Sequence, residues 1–335
     1  MRFLLDAEQR EFGRTLDALL GAADVPAVAR AWAAGDPAPG RALWRRVADT
    51  GLFALAVPEE FDGVGEHPVE LAVAFEQLGR HAVPGPYAES VAAASVCAGL
   101  AREGAAKDVL AGLLAGETMA TLGMPEGGPY LLDADAADVL LVVEGGGDSA
   151  AAPWSLRSAP GHGEVRPGLD AARRHAEPLP GGDVLGDAAG VREVALHAAA
   201  LARLATAAQA LGVGRALLDR TVAHVKRRTQ FGTPIGAFQA VKHRLADTLI
   251  AVEFARPLVF GAALTMRPDD LAAAKVAAGE AAYTAARAAL QLHGAIGYTA
   301  EFDLSLWLTK ARALRGAWGT PRECRAQVLA RHSPG

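Results

Sequence analysis

The segment from Arg228 to Asp247, RTQFGTPIGAFQAVKHRLAD, constrains the fold and the site more than any other part of the sequence. An arginine stands three residues before a Phe-Gly pair, a Pro-Ile turn follows, and a new amphipathic run opens at Phe238. A guanidinium group can hold two phosphate oxygens with its planar fork. The neighbouring aromatic and glycine let a flat ring and a backbone come close. The segment therefore predicts a loop between two helices that suits a dinucleotide pyrophosphate.

Alanine-rich helical patterns surround this loop. We predict helices at about 190–229, 238–265, 269–292 and 301–314, and a last one at about 320–331. Alanine has the highest intrinsic helix propensity and lets helices approach closely. Pro234, Pro268 and the Gly294–Gly297 segment separate the first four helices. Short loops between long amphipathic helices favour an antiparallel bundle.

The rest of the chain divides at changes in residue pattern. Residues 1–116 show apolar positions at helical spacing, as in Leu71, Phe75 and Leu78, and predict an N-terminal helical domain. From 117 to 187 glycine and proline become frequent, and the run Val139–Val143 is typical of a strand. We therefore predict a shortened middle β domain there and a helical bundle from 188 to 335.

Composition excludes several classes of function. A formal net charge of -5 gives no electrostatic case for nucleic acid. The longest apolar stretches are interrupted by polar residues, and the start MRFLLDAEQREF lacks a long apolar region, so we predict a cytoplasmic protein without a membrane partner. Cys97 and Cys324 lack metal-site spacing, and no metal is expected.

The loop segment resembles the acyl-CoA dehydrogenase family of flavoenzymes. Two further segments are similar to that family: GLFALAVPEEFDGVGEHPVELAVAFEQLGR (Gly51 to Arg80) and QLHGAIGYTAEFDLSLWLTKARAL (Gln291 to Leu314). The resemblance implies a mainly α fold with a small β domain: an N-terminal helical domain, a middle β domain and a C-terminal four-helix bundle. It also implies FAD as cofactor and α,β-desaturation of an acyl-CoA thioester as the reaction.

The same resemblance implies which residues meet the cofactor. Structural alternatives stay open for some of these residues: Arg228 as a helix-end arginine, Phe231 as core packing, Gly294 and Gly297 as a tight turn, and Thr320 as the N-cap of a helix that Pro321 begins. His293 is expected to be structural. The predicted cofactor-binding residues are Arg228, Gln230, Phe231, Gln291, Gly294, Ala295 and Thr320.

No residue of the chain matches the family's catalytic base. The commoner base, a glutamate before a Gly-Thr pair, is replaced by Trp318, and an indole has no usable basic site. The second location, a glutamate before an arginine on the first bundle helix, holds Ala202. On the flavin-ring side, Gly123 and Met124 stand where the family has a Thr-Glu pair before proline.

In the family each FAD lies across a subunit interface, and this sequence keeps the motifs that serve a neighbour's cofactor while it lacks the ring-side features. This asymmetry predicts a subunit that acts with a homologous catalytic subunit supplying the glutamate. The chain is similar in this respect to α2β2 members of the family, several of which act on steroid-derived CoA thioesters, and this resemblance implies an α2β2 heterotetramer and a steroid-derived acyl-CoA substrate. Two alternatives stay open: a self-sufficient homo-oligomeric dehydrogenase with a displaced base such as Glu323, and a non-catalytic scaffold subunit.

Overall fold

A computed structural model describes residues 4–100, 104–145, 154–186 and 190–332. The chain forms two compact units, and each is made of separate segments. One comprises Met1–Pro26, Ala72–Val83 and Thr206–Gly335; the other comprises Ala27–Leu71 and Pro84–Ala205. The domain boundary at 116/117 stays a prediction, and the predicted boundary at 187/188 lies outside the described residues.

The N-terminal part is helical, as its apolar spacing predicts. Asp6 opens the first helix with a capping box, because its side chain accepts from the Gln9 N–H while the Gln9 side chain accepts from the Asp6 N–H. The sequence pattern did not predict a two-residue antiparallel ladder between Ala56–Val57 and Gly65–Glu66. The elements are α1 Ala7–Gly21, α2 Val25–Ala33, α3 Ala38–Ala48, β1 Ala56–Val57, β2 Gly65–Glu66, α4 Pro68–Arg80, α5 Tyr87–Leu100 and α6 Ala105–Leu114.

The middle part contains two small sheets. Its strands are β3 Ala120–Gly123, β4 Leu131–Leu132, β5 Val139–Glu144, β6 Ser155–Ser158, β7 Arg166–Pro167, β8 Arg174–Ala176 and β9 Asp183–Gly186. A four-stranded sheet has the order β3-β5-β6-β9, with β3 parallel to β5 and the other pairs antiparallel. A three-stranded antiparallel sheet has the order β4-β8-β7. Leu131, Leu140 and Val142 are buried together in an apolar cluster. The predicted strand at 139–143 is confirmed as β5.

The C-terminal part consists of long helices that end close to the predicted positions. Pro268 begins a helix, where its missing N–H is tolerated. The mainly α fold with a small β part is therefore confirmed. The elements are α7 Val191–Arg227, β10 Thr229–Gln230, β11 Thr233–Pro234, α8 Gln239–Thr265, α9 Pro268–His293, α10 Leu304–Gly316 and α11 Pro321–His332.

Two glycines let α4 and α7 cross in close contact. A Cβ atom added to Gly79 would lie 2.0 Å from the Gln209 carbonyl oxygen, and one added to Gly212 would lie 1.9 Å from the Glu76 carbonyl oxygen. Any larger residue at either position would therefore separate the helix backbones. Because the helix backbones touch there, the crossing also positions the charged residues that follow it, Arg80 on α4 and Arg215 on α7.

Within the described part of the chain, two helices, α7 and α8, are long and apolar enough to cross a membrane when length and hydropathy are the only criteria. The apolar window of α7 is 72% buried within the protein, as expected for a core helix, whereas that of α8 is 39% buried. A core helix of a soluble protein meets the same criteria, so they do not by themselves establish a span. The absence of a membrane partner stays a prediction.

Candidate functional site

The RTQFG segment forms a tight β-hairpin at the end of α7. Thr229 pairs with Pro234 and Gln230 with Thr233, so that Phe231 and Gly232 make the turn. Both turn residues have positive φ, 53° and 74°, as a two-residue type I′ hairpin requires. Glycine adopts this conformation without strain, but it is uncommon for a bulky residue. The hairpin therefore holds the phenylalanine in a defined, exposed position.

The hairpin presents the predicted cofactor residues to solvent. Phe231 is 93% exposed, so the core-packing alternative for its ring is wrong. The ring contacts Phe238 edge-on, with centroids 6.4 Å apart. Arg228 and Gln230 are also exposed. The Arg228 N–H donates to the His224 carbonyl at 2.9 Å, and the Arg228 carbonyl accepts from the Ile235 N–H at 2.8 Å. The backbone of the arginine is thus held on both sides while its side chain points outward.

The QLHGAIGY segment ends α9 and begins a short 3-10 turn, Gly294–Tyr298. Gly294 has φ 64° and caps the helix through its N–H, which donates to the Leu290 carbonyl. Gln291, Gly294 and Ala295 are exposed, and a Cβ built on Gly294 would have no atom of the described residues within 4 Å apart from those of its own helix end and chain neighbours. The tight-turn role of the glycine is therefore satisfied, and open space remains beside it for a ligand.

A pair of histidines joins the two segments. The rings of His224, on the last turns of α7, and His293, at the end of α9, stack with centroids 4.0 Å apart. His293 is buried, and its Nδ1–H donates to the Ala289 carbonyl at 2.8 Å. The structure therefore brings the two predicted cofactor segments together. Sequence reasoning assigned His293 a structural role and missed His224, which no pattern distinguishes from other helix-end histidines.

Burial lowers the pKa of both rings. For His224 the neighbouring positive charges of His293, Arg228 and Arg227 lower the pKa further. For His293 burial is the main cause, and the hydrogen bond to Ala289 opposes it. Two stacked imidazoles beside arginine side chains are stable as neutral rings, so the exposed arginines Arg227 and Arg228, and not the histidines, carry the positive charge at the end of α7.

We expect a specific pH dependence of stability from this stack. Because folding lowers both pKa values below the ordinary value of about 6.5, the unfolded chain binds more protons in mild acid. The free energy of unfolding should therefore fall as the pH drops through about 6.5, and stop falling below the folded-state pKa values. Replacing His224 by Gln should make this loss smaller. Urea denaturation at about pH 7.5 and 5.5 measures it. His243→Gln, an exposed histidine on α8, is the control. An unchanged loss in His224→Gln would contradict the expectation.

The turn at the predicted base position is buried and fixed. Trp318 is 4% exposed and has φ 54°, and Gly319 follows with φ 124°. The Lys275 ammonium, itself buried, donates to the carbonyls of Leu314, Arg315 and Gly319 at 2.9, 3.1 and 3.2 Å. A positive charge at the C-terminal end of α10 also interacts favourably with the negative end of the helix dipole. The indole therefore occupies core volume at this turn.

Thr320 caps α11. Its Oγ1–H and its backbone N–H donate to the Glu323 carboxylate at 2.8 and 2.9 Å, and its Oγ1 accepts from the Glu323 N–H at 3.3 Å. This is a capping box, and Pro321 begins the helix, so the helix-start alternative for Thr320 is confirmed. Both polar groups of Thr320 and the acid of Glu323 are engaged in the cap.

The second base position and the ring-side segment belong to the unit of Ala27–Leu71 and Pro84–Ala205, whereas the hairpin and Trp318 belong to the unit that includes Thr206–Gly335. Ala202 is fully buried on α7. Gly123 and Met124 lie at the end of β3, where Met124 is buried. They line a pocket of about 450 Å³ together with Pro125 and Glu144. Neither Gly123 nor Met124 brings a hydroxyl group into this pocket.

These groups fit the phosphate and adenosine half of a dinucleotide cofactor. Arg228 supplies a charged fork, Phe231 and Gln291 supply exposed stacking and amide groups, and Gly294 leaves room for close approach. Thr320 does not add a free hydroxyl because its Oγ1–H is used in the cap. The roles of all seven predicted residues in cofactor binding stay predictions.

The chain matches two protein-family models. Residues 6–117 match "Acyl-CoA dehydrogenase, N-terminal domain", and residues 191–333 match "Acyl-CoA dehydrogenase, C-terminal domain". Acyl-CoA dehydrogenase IpdE2 of Mycolicibacterium smegmatis is 32% identical over 320 residues, which cover 95% of this chain and 96% of that relative. IpdE2 of Mycobacterium tuberculosis is 32% identical over 318 residues, with 94% and 95% covered.

Solved structures share the fold over almost the whole length. The ChsE4-ChsE5 complex from Mycobacterium tuberculosis aligns with a TM-score of 0.80 at 23% identity and covers 100% of both chains. A variant of the Tcur3481-Tcur3483 steroid ACAD aligns with a TM-score of 0.80 at 25% identity, with 96% and 97% covered.

Proposed function

Because this chain belongs to the acyl-CoA dehydrogenase family of oxidoreductases, whose cofactor is FAD, we propose that it is the base-lacking subunit of a hetero-oligomeric dehydrogenase. In the family's reaction a carboxylate removes the α-proton of an acyl-CoA thioester, and FAD, when bound, accepts the β-hydride. In this proposal the chain contributes the residues that bind the cofactor phosphates, and a homologous partner contributes the carboxylate and the residues that face the flavin ring.

The observation that carries the proposal is the contrast between the two sets of motif residues. Arg228, Phe231 and Gln291 are exposed on the hairpin and at the end of α9, as groups that serve a neighbour's cofactor need to be. Trp318, at the base position, is a buried indole on a turn that Lys275 fixes. A base cannot be restored by a simple side-chain rotation at that turn, because no acid stands there.

An exposed apolar face on α8 supports a protein partner. Phe254 is 72% exposed, and Ile250 and Leu258 flank it one helical turn away on either side, with Leu249 beside them. Water-exposed apolar side chains that recur on one helix face are typical of protein interfaces. The face is continuous with an apolar groove of about 540 Å³ between α7 and α8, which Leu249 also lines. We propose that the homologous catalytic subunit covers this face.

We also propose the class of substrate and the cellular location of the protein. The Tcur3481-Tcur3483 protein is described as a steroid ACAD, and at 25% identity over 96% of this chain it supports a steroid-derived acyl-CoA as substrate. The two-protein complexes among the structural neighbours support an assembly of this chain with a homologous subunit. An α2β2 stoichiometry in the cytoplasm remains the proposed state.

The test is expression of the full chain alone and together with a homologous dehydrogenase subunit encoded beside it. We expect flavin absorbance and acyl-CoA desaturation to appear together only in the co-purified complex. Stoichiometric FAD and full activity in the isolated chain would refute the division of roles and favour the self-sufficient homo-oligomer.

Glu323→Gln separates the displaced-base alternative from the proposal. Glutamine at this position still closes a capping box, so the variant keeps the start of α11. Activity of the complex should change less than about twofold, since the Glu323 carboxylate is engaged by Thr320. A positioned base contributes roughly 10²–10⁴-fold, and a loss of that size would instead identify Glu323 as the base.

A further inference from the structure

A small arginine-lined cavity lies away from the cofactor segments. It has a volume of about 210 Å³ and opens between α1, α4, α7 and α8. The close crossing of α4 and α7 at Gly79 and Gly212 places its walls. Five guanidinium groups line it: Arg10, Arg14, Arg80, Arg215 and Arg256.

The cavity wall has more positive than negative charge. Two carboxylates line it with the five arginines, Asp17 and Glu76, which leaves an excess of three positive charges (5 − 2). Asp17 is already engaged by His81 at 2.8 Å. Three further acids, Glu11, Asp219 and Glu253, form ion pairs with Arg14, Arg80 and Arg215 from outside the wall. Their side chains are 65%, 64% and 51% exposed, so solvent screens these pairs.

Arg215 and Arg256 make long ion pairs with Glu76, and one buried donor of Arg256 has no hydrogen-bond partner among the described residues. Glu76 is buried and lies 3.6 Å from the Arg215 Nη1 and 3.8 Å from the Arg256 Nε, beyond hydrogen-bond distance from either. Within the described residues the Arg256 Nε is buried and has no hydrogen-bond partner. Unmade hydrogen bonds of buried donors cost free energy, so this site favours an acceptor between the guanidinium groups.

We propose that this cavity binds a phosphate-class oxyanion, a phosphate or pyrophosphate group. Such an anion carries two to three negative charges near neutral pH, matches the charge excess of the wall, and accepts from several guanidinium forks at once. With a volume of about 210 Å³, the cavity has room for a phosphate or pyrophosphate group and not for a larger ligand. The Gln77 amide also lines the cavity, and its buried Oε1 has no hydrogen-bond partner among the described residues. A rotation of this amide by about 180° exchanges its oxygen and its NH₂ group, so that the NH₂ group faces the anion.

The test uses inorganic pyrophosphate and the full chain in isothermal titration calorimetry, at an ionic strength held constant with sodium chloride. We expect saturable binding to wild type. Arg215→Gln should weaken it by about 10-fold or more, since a charged hydrogen-bond partner is lost. Arg10→Gln, on the exposed rim, should weaken it less and keeps every buried ion pair of the cavity.

Arg228→Gln is the matched control, because Arg228 is the other predicted phosphate ligand of the chain. Binding should be retained in this variant if the cavity is the site. No saturable heat in wild type, or binding lost in Arg228→Gln and kept in Arg215→Gln, would overturn the proposal. If Arg215→Gln fails to fold, the comparison of Arg10→Gln with Arg228→Gln decides in the same way.

Discussion

Replacement of Trp318 by alanine is expected to lower the free energy of unfolding by about 3–5 kcal/mol, the usual cost of removing a buried tryptophan from a core. The indole is 4% exposed, and Lys275 on α9 donates to Gly319 beside the indole and to Leu314 and Arg315 at the end of α10. Because these bonds fix the backbone, the turn cannot collapse into the space left by the indole. Chemical denaturation followed by circular dichroism measures the change.

Phe231→Ala is the matched control for this experiment, since it truncates an aromatic residue that also has positive φ. Phe231 is 93% exposed, so its truncation should change the free energy of unfolding by less than about 0.5 kcal/mol. A cost below about 1 kcal/mol for Trp318→Ala would mean that the indole is not part of the core. Trp318 could then swing aside and leave room at the turn for a substrate, against the proposed division of roles.

The helices were predictable because local signals set their ends. Pro234 follows the break after α7, Pro268 begins α9, and Gly294 caps it with positive φ. The predicted bounds lie within about three residues of the observed ones, as expected where proline and glycine act through backbone geometry alone. The fold class came from the resemblance of three segments to the family, and these local signals agree with it.

The details of the site depend on tertiary contacts, which a sequence pattern does not contain. Phe231 would by default be buried, yet the type I′ hairpin puts its ring in solvent. The stacking of His224 on His293 joins residues 69 positions apart (293 − 224) and is set by the packing of α7 against α9. Glu323 was a candidate base, but its spacing from Thr320 is that of a capping box, a local signal that the sequence does contain and that the structure shows.

The same limit explains why the exposed face of α8 was missed. Its sequence reads as an amphipathic helix that packs on one side, and hydropathy does not tell how much of it remains uncovered. The structure leaves Phe254 and its neighbours in solvent. An apolar face of this kind is costly for an isolated monomer and is stable when a partner covers it. The hairpin and this face are therefore the two exposed surfaces that the proposed partner would cover.

Arg228→Ala should weaken FAD binding by the complex about 10- to 100-fold, because a hydrogen bond to a charged group contributes roughly 1.5–3 kcal/mol. The Arg228 backbone is held by His224 and Ile235, so the side chain is removed without loss of the hairpin. Arg228→Lys keeps the charge and loses the planar fork, so its affinity for FAD should lie between those of the wild type and Arg228→Ala. Fluorescence titration of the deflavinated complex gives the dissociation constants.

Arg227→Ala is the control for position and charge. Arg227 is the exposed neighbour at the end of α7, and its Nε donates to the Ala223 carbonyl at 3.3 Å. Its loss should change FAD affinity less than about threefold, because it acts on the cofactor only through screened charge. If Arg228→Ala and Arg227→Ala both leave FAD occupancy unchanged, the chain does not hold the cofactor phosphates. The exposed α8 face would then be its contribution to the complex, and the scaffold alternative would replace the proposal.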